Sequence, residues 1–146
     1  MPDESAITME ELRFLAMFQD FTGATAFRCI RDPDEDKLYF LVKPSDIGKA
    51  IGRKGSNVKM LSKLFQKKIE IIPYSPDLPL EDVVKNLFPG VRILGIKIRE
   101  QNDIKQLIIK VDERDKGKAI GREGRNINRA RKILRVLYGF DRVIIV

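Results

Sequence analysis

The sequence predicts a protein of mixed α/β class (α+β), built from two tandem copies of one unit with the order α-β-β-α-α-β. Three observations predict it. The decapeptide GKAIGRKGSN (48–57) returns as GKAIGREGRN (117–126), and at this offset of 69 residues the stretches 46–59 and 115–128 agree at nine of fourteen positions. Strand-type runs of β-branched and aromatic residues flank both copies. Directly after each copy, apolar residues recur at helical spacing.

The first unit opens with a helix. Thr8 and Glu11 have the spacing of a capping box, which satisfies free N–H groups where a helix begins. Apolar side chains then recur every three or four residues up to about Thr22, as in a helix with one buried face. The elements predicted next are strands over about 25–31 and 37–43 around a turn at DPDED (32–36), a helix pair at the first glycine repeat, and a strand over 68–72.

The second unit repeats this order with a shorter first helix. The helix LEDVVKNLF (80–88) ends at Pro89 and Gly90, since proline and glycine interrupt a helical backbone. The elements predicted after it are strands over 91–100 and 106–111 around a turn at 101–103, a helix pair at the second glycine repeat, and a strand over 142–146.

Prolines mark the boundary between the units. The stretch PYSPDLP (73–79) contains Pro73, Pro76 and Pro79, which predicts a short, stiff spacer instead of a flexible tether. We therefore expect a first domain at residues 1–73, a spacer at 74–79 and a second domain at 80–146.

Positive charge is concentrated in the two segments that begin near the glycine repeats. The chain of 146 residues carries a net charge of +7. Residues 44–72 hold seven basic and two acidic side chains, and residues 114–146 hold ten and three, whereas acidic residues outnumber basic ones in 1–43 and 73–113. Such a concentration indicates a binding surface for a polyanion, because clustered charge of one sign attracts partners of the other.

Residue types typical of enzymes and metal sites are scarce. The sequence has no histidine, the commonest general base and transition-metal ligand, and a single cysteine, Cys29, which we expect in the core. One cysteine forms no internal disulfide, the acidic N-terminus is unlike a signal peptide, and no apolar run reaches the roughly 18 residues of a membrane span. We therefore expect a cytoplasmic binding protein without enzyme activity, metal, other cofactor or membrane contact.

The glycine repeats have the composition of a phosphate-binding turn. Glycine lacks a Cβ, so another backbone can approach closely and positive φ angles are allowed. The helix that follows directs free N–H groups and the positive end of its dipole to the same place, and Arg53, Lys54 and Arg122 add mobile positive charge. The spacing differs from that of the nucleotide P-loop and of the dinucleotide fingerprint. Plain joining turns, or the glycine hairpin of a double-stranded DNA binder, stay open as alternatives for the turn alone.

A strand, the sequence IGxxGxN between two helices, and a further strand resemble the KH domain, and the additional N-terminal helix and strand resemble its type II form. Two such units carrying GKAIGRKGSNV and GKAIGREGRNI are similar to the RNA-binding part of the NusA transcription factors, in the compact form of the archaeal NusA-like family. The resemblance covers about residues 5–146. It implies a three-stranded sheet covered on one face by helices in each unit, and a GxxG loop that grips single-stranded nucleic acid.

The resemblance also implies which residues contact RNA. In this family the nucleic acid lies in a groove bounded by the GxxG loop, its two helices and an edge of the sheet, and bases rest on aliphatic side chains. Ile47, Val58 and Ile127 are further candidates for the groove floor, although helical periodicity favours the core for Val58 and Ile127. The RNA-binding residues carried over by position are Lys49, Ile51, Gly52, Arg53, Lys54, Gly55, Asn57, Lys118, Ile120, Gly121, Arg122, Glu123, Gly124, Arg125 and Asn126.

One position departs from the pattern. Glu123 stands where the first repeat has Lys54, inside the loop that the resemblance places against phosphate. Glu123 either points to solvent or pairs with a nearby arginine, or else it makes the second site weaker or shifts its register. We favour the first interpretation, because backbone N–H groups make most of the contacts and several arginines surround this loop.

The function that the resemblance implies is that of a single-stranded RNA-binding factor in transcription termination or elongation. Its further partners would be RNA polymerase or other transcription factors, and the chain would be a monomer. Two other functions fit the residues. One is a KH protein of the ribosome or of ribosome assembly, and the other is an adaptor that docks protein partners and binds RNA secondarily.

Overall fold

The structure of the chain, a computed structural model, describes residues 5–146. Residues 1–4, at the start of the predicted first domain, lie outside the described residues. The chain forms two compact units, whose principal segments are Ile7–Leu78 and Pro79–Val146. Each unit combines helices with a mixed sheet in the predicted order, which confirms the fold class.

The first unit begins with α1 (Met9–Thr22), whose boundaries are set by local chemistry. The hydroxyl of Thr8 accepts a hydrogen bond of 3.1 Å from the N–H of Glu11, as the capping spacing predicts. Gly23 ends the helix in the left-handed conformation, with φ of 73°, which glycine adopts without a steric cost. The other elements of this unit are β1 (Ala26–Asp32), β2 (Lys37–Val42), α2 (Ile47–Ile51), α3 (Ser56–Phe65) and β3 (Lys68–Pro73).

The sheet of the first unit has β2 at its centre, antiparallel to β1 and parallel to β3. Alternate side chains of a strand point to opposite faces. Leu38 and Phe40 of β2 are fully buried in a cluster with Phe18 of α1 and Leu61 of α3, so the helices cover one face of this sheet. The rings of Phe18 and Phe40 stack with their centroids 4.3 Å apart.

Cys29 lies in the same core, as predicted. Burial raises the pKa of its thiol, and the negative charge of Glu11 raises it further. The thiol therefore stays protonated at neutral pH, and a protonated, buried thiol is a poor nucleophile and metal ligand.

A buried ion pair connects α1 to β1. The carboxylate of Glu11 accepts hydrogen bonds from Arg28 Nε at 2.7 Å and from the N–H of Cys29 at 3.0 Å. The side chains of Glu11 and Arg28 are only 9% and 14% exposed. Glu11 thus has two roles, because its backbone N–H completes the cap on Thr8 while its side chain fixes the helix to the sheet.

The second unit contains α4 (Leu80–Leu87), β4 (Ile93–Gln101), β5 (Ile104–Val111), α5 (Lys116–Ile120), α6 (Arg125–Tyr138) and β6 (Arg142–Ile145). Its sheet repeats the arrangement of the first, with β5 between an antiparallel β4 and a parallel β6. Leu107 and Ile109 of β5 are fully buried, as are Ile133 and Leu134 of α6. The helix-facing side of this sheet is therefore the core side.

The turn between β4 and β5 lies within the predicted 101–103, and the start of each strand differs from the prediction by two residues. Asn102 and Asp103 both have positive φ angles, 54° and 62°, and form a tight two-residue turn of the kind that matches the twist of paired strands. Gln101 and Ile104 consequently pair with each other as the last residues of their strands. β4 begins late, at Ile93, because the preceding residues form a turn.

The proline-rich stretch at the end of β3 is packed against the first unit through Tyr74. The ring of Tyr74 contacts that of Phe27, with centroids 6.1 Å apart, and the N–H of Tyr74 donates a hydrogen bond of 2.8 Å to the carbonyl of Val42. Tyr74 is buried as a result.

Among residues 5–146, none of the helices has both the length and the apolar character that crossing a membrane requires.

Candidate nucleic-acid interface

Each glycine repeat forms a short helix, a tight loop and a longer helix. Gly52 follows α2 with φ of 76° and ψ of 173°, and Gly121 follows α5 with φ of 79° and ψ of 172°. Gly55 and Gly124 then precede α3 and α6 with φ of 74° and 75°. The two loops therefore have the same backbone conformation.

Each loop also holds a residue other than glycine in the left-handed region. Lys54 has φ of 54°, and Glu123 has φ of 57°. This region costs an ordinary residue about 1–2 kcal/mol. Because two residues of opposite charge adopt it at the same place, the sequence shared by both loops sets the conformation, and not the side chain at 54 or 123.

An asparagine braces each loop from inside. Nδ2 of Asn57 donates a hydrogen bond of 2.8 Å to the carbonyl of Lys49, and Asn126 donates one of 2.8 Å to the carbonyl of Lys118. A Cβ on Gly52 would lie 2.9 Å from the backbone nitrogen of Asn57, and the same distance recurs in the second loop. The backbone and the side chain of the asparagine therefore leave no room for a side chain at the first glycine of the motif.

An aspartate connects each helix pair to the residue just before the edge strand of its sheet. Oδ2 of Asp46, just before α2, accepts a hydrogen bond of 2.8 Å from the N–H of Thr25, and Oδ2 of Asp115 accepts one of 2.9 Å from the N–H of Arg92. The hydrogen bond from Thr25 is the main cause that lowers the pKa of Asp46 below its usual range. These aspartates belong to the repeated sequence, so both loops are attached to their sheets in the same way.

The first turns of α3 and α6 have no side-chain cap. The residue before each helix is a glycine, Gly55 or Gly124, and no side chain within residues 5–146 accepts a cap hydrogen bond there. The N–H groups of Ser56 and Arg125 donate to the carbonyls of Arg53 and Arg122, while the next N–H groups of each first turn have no partner inside the helix. They therefore offer donors to an anion beside the loop, together with the positive end of the helix dipole.

The predicted cations lie exposed around these loops. Arg53, Lys54 and Arg122 are exposed, and none of them forms a salt bridge with any residue that the structure describes. Glu123 is also exposed and pairs with no arginine in that part of the chain, in line with the interpretation that it faces solvent. The predicted cations on the adjacent helices are also exposed, namely Lys49, Lys118 and Arg125.

An isoleucine is exposed just before each loop. Ile51 is 37% exposed and Ile120 is 43% exposed, although each follows a fully buried alanine. Ile127, in contrast, is buried in the core, as its helical periodicity predicts, and Val58 and Ile47 are half-buried. The aliphatic side chains available to a ligand beside the loops are thus those of Ile51 and Ile120.

Gly48 and Gly117 have no role inside the fold. They lie in α2 and α5 with ordinary helical φ angles, and a Cβ on either would meet no atom within 4 Å. Glycine in a helix costs up to about 1 kcal/mol relative to alanine. The absence of a side chain at these two exposed positions leaves room for a molecule outside the protein to approach the helix backbone.

A groove that the sequence analysis did not identify lies between α6 and β6. Arg131 and Arg135, one helical turn apart, face Arg142 across it, and Phe140 and Ile144 supply apolar lining. The helical spacing of Arg131 and Arg135 was visible in the sequence, but the position of Arg142 depends on the pairing of β6. Asp141 also lines the groove, so one carboxylate lies among the three arginines.

The chain matches known proteins along nearly all of its length. The family described as NusA-like second KH domain matches residues 24–76 and again residues 80–136. The "Probable transcription termination protein NusA" of Methanococcus vannielii is 32% identical over 96% of this chain and 79% of its own length, and its namesake from Halococcus morrhuae is 32% identical over 89% and 90%. A solved structure, the crystal structure of APE1850, is 50% identical, covers 96% of this chain and all of its own, and superposes with a TM-score of 0.91.

The duplicated fold and its glycine loops define a tandem KH protein of type II. The chain belongs to the NusA-like KH family, in which the predicted resemblance placed it.

Proposed function

We propose that this chain is a single-stranded RNA-binding factor of the transcription apparatus, in which both GxxG loops grip the RNA backbone. The observation that carries the proposal is that the two loops share the same four structural features. Both combine left-handed backbone, an uncapped helix start, exposed cations and an exposed isoleucine. A fold that needed only a turn between helices would not need the other three features at both places.

Each loop offers a phosphodiester three kinds of contact. The free N–H groups at the start of α3 or α6 donate hydrogen bonds to phosphate oxygens. Arg53 and Lys54, or Arg122 and Arg125, supply charge, and the exposed isoleucine supplies an apolar surface for a base. About four nucleotides of exposed backbone match one such loop, and a duplex hides the base faces that the isoleucine would contact.

The transcription role rests on the relatives. Those from Methanococcus vannielii and Halococcus morrhuae carry the name of transcription termination protein. We propose the same process for this chain, with RNA polymerase or other transcription factors as partners, a monomeric state, a cytoplasmic location and no enzyme activity. We further propose that residues 1–73 and 80–146 are the two RNA-binding domains and that 74–79 is the spacer between them.

Competition binding tests the proposal. A labelled single-stranded RNA is displaced by unlabelled RNA or by duplex DNA of equal length, and the RNA should compete far better. The double variant Arg53→Ala with Lys54→Ala should bind RNA more weakly than the wild type. Its matched control removes two charges far from the loops in sequence, at Arg13 and Lys85, which are exposed on α1 and α4. Equal competition by duplex DNA would contradict the proposal and favour the glycine hairpin of a double-stranded DNA binder.

A further inference from the structure

The face of the second sheet that points away from the helices carries four cations and no carboxylate. We propose that this face docks an acidic segment of another protein, separately from the RNA sites. The cations are those of Lys97, Arg99, Lys110 and Arg142.

Strand register places these cations around an apolar centre. Lys97, Ile108 and Ile144 lie side by side across the three strands in one row. Arg99 and Arg142 flank Gln106 in the next row, and Lys110 pairs with Gly95 on the other side of the first row. Since partners in register point to the same face, the isoleucines are surrounded by positive charge.

The four cations are available to a partner. All four are exposed, and none forms a salt bridge with a residue that the structure describes. Ile144 is 37% exposed at their centre. Four like charges without counter-ions repel one another, and an acidic partner would remove that repulsion.

The corresponding face of the first sheet is different, although the strands pair in the same register. Asp32 occupies the position of Arg99, and Glu70 occupies the position of Ile144. Lys37 is neutralised there by Glu70, with Nζ 2.6 Å from the carboxylate oxygen. The uncompensated charge is therefore a property of the second sheet, and the duplicated fold does not require it.

The chemistry of the face favours a protein over single-stranded RNA. Each RNA site proposed above combines an exposed isoleucine with a glycine loop and the N–H groups of a helix start. The helix-free face of β4, β5 and β6 has isoleucines, but it has no glycine loop and no helix start that would bind phosphates. An apolar centre with a polar or charged rim is instead the arrangement of protein–protein interfaces. Because this rim is positively charged, the partner should present aspartate and glutamate side chains to it.

The test uses the full chain, a short synthetic peptide of glutamate interspersed with leucine, and the same peptide with lysine in place of glutamate. Lys97→Glu with Lys110→Glu reverses two charges on the face, and Arg13→Glu with Lys85→Glu is the control with the same change in net charge. Circular dichroism checks that both variants fold. We expect the glutamate peptide to bind the wild type and the control, to bind the face variant at least about tenfold more weakly, and to shift the methyl NMR signals of Ile108 and Ile144. RNA affinity should stay within about twofold of the control.

Three results would overturn the proposal. The first is equal peptide affinity for the face variant and the control, and the second is equal binding of the lysine peptide. The third is a shift of the Ile108 and Ile144 methyls by an oligouridine RNA together with weaker RNA binding by the face variant. That last result would make the face an extension of the RNA site.

Discussion

The side-chain amide of Asn57 donates a hydrogen bond of 2.8 Å to the carbonyl of Lys49, which joins the start of α3 to α2 across the glycine loop. Asn126 and Lys118 make the same contact in the second unit. The asparagine therefore shapes the loop from within, and its contribution to binding would act through the loop backbone.

Asn57→Ala should weaken RNA binding by about fivefold, because the loss of one hydrogen bond of about 1 kcal/mol lets the loop leave its binding conformation. Asn57→Asp should weaken it more, since the carboxylate cannot donate and faces a carbonyl oxygen. Fluorescence anisotropy with a short RNA measures both, and amide exchange at residues 52–55 reports the loosening. Wild-type affinity of the alanine variant would show that the brace is dispensable.

The charge at the third residue of each GxxG loop, Lys54 or Glu123, should change the affinity for RNA without changing the fold. Lys54 and Glu123 share the same left-handed conformation, so Glu123→Lys places a residue that the conformation already accommodates. We expect Glu123→Lys to strengthen RNA binding and to steepen the slope of log K against log salt by about 0.7, the value for one more neutralised phosphate on a single strand.

Lys54→Glu is the reciprocal variant and should flatten the slope by a similar amount. The double exchange should return the slope to that of the wild type. Titrations at several salt concentrations measure all three. A slope that does not respond to either variant would place the RNA backbone away from these two side chains.

Gly48→Ala should make the protein more stable but weaken its binding to RNA. Alanine adds helix propensity worth up to about 1 kcal/mol, and its Cβ meets no protein atom, so the free energy of unfolding should rise. RNA binding should fall, because the added methyl stands where we propose that the ligand approaches α2. Gly117→Ala should behave in the same way in the second unit.

Urea denaturation gives the free energy of unfolding, and fluorescence anisotropy on the same samples gives the RNA affinity. Gly95→Ala is a comparison variant, since its Cβ also meets nothing and it lies in a strand away from the loops. A stabilised Gly48→Ala variant with unchanged RNA affinity would show that no ligand contacts this helix.

Two ion pairs of the first unit should differ strongly in their effect on stability. Glu11→Ala leaves Arg28 buried without its carboxylate, which we expect to cost about 3–5 kcal/mol of unfolding free energy. Glu10→Ala breaks the pair with Arg31, whose side chains are more than half exposed, and should cost less than about 1 kcal/mol. Urea denaturation of the two neighbouring variants makes the comparison, and equal losses would contradict the assignment of Glu11 to a buried pair.

The predicted elements agree with the structure where short-range signals are strong. Thr8 and Gly23 delimit α1 because each satisfies backbone groups at its own helix end. The turn at Asn102 and Asp103 lies within the predicted 101–103, and β5 begins two residues earlier than predicted because this tight turn lets Gln101 and Ile104 pair across it. Pattern reasoning thus performs best where the chain determines its conformation locally.

The site was predictable as a set of residues but not as a geometry. The repeat identified the glycines and cations, yet the role of Asn57 as a brace depends on a contact across eight positions. Arg142 could not be assigned to the groove beside α6 because its place follows from the pairing of β6 with β5. Contacts between distant residues follow from the packed fold, which the periodicity of one segment does not encode.

The separation of brace and contact within each loop has an evolutionary consequence. Within the loop, position 52 must stay glycine because a Cβ there would lie 2.9 Å from the backbone nitrogen of Asn57. Positions 54 and 123 are exposed and keep the same backbone with either charge, so under the proposed function only RNA binding constrains their side chains. After the unit was duplicated, a single codon change at this position could therefore give one copy a different affinity for RNA while the other copy kept its own. Such a change required no compensating mutation in the rest of the loop.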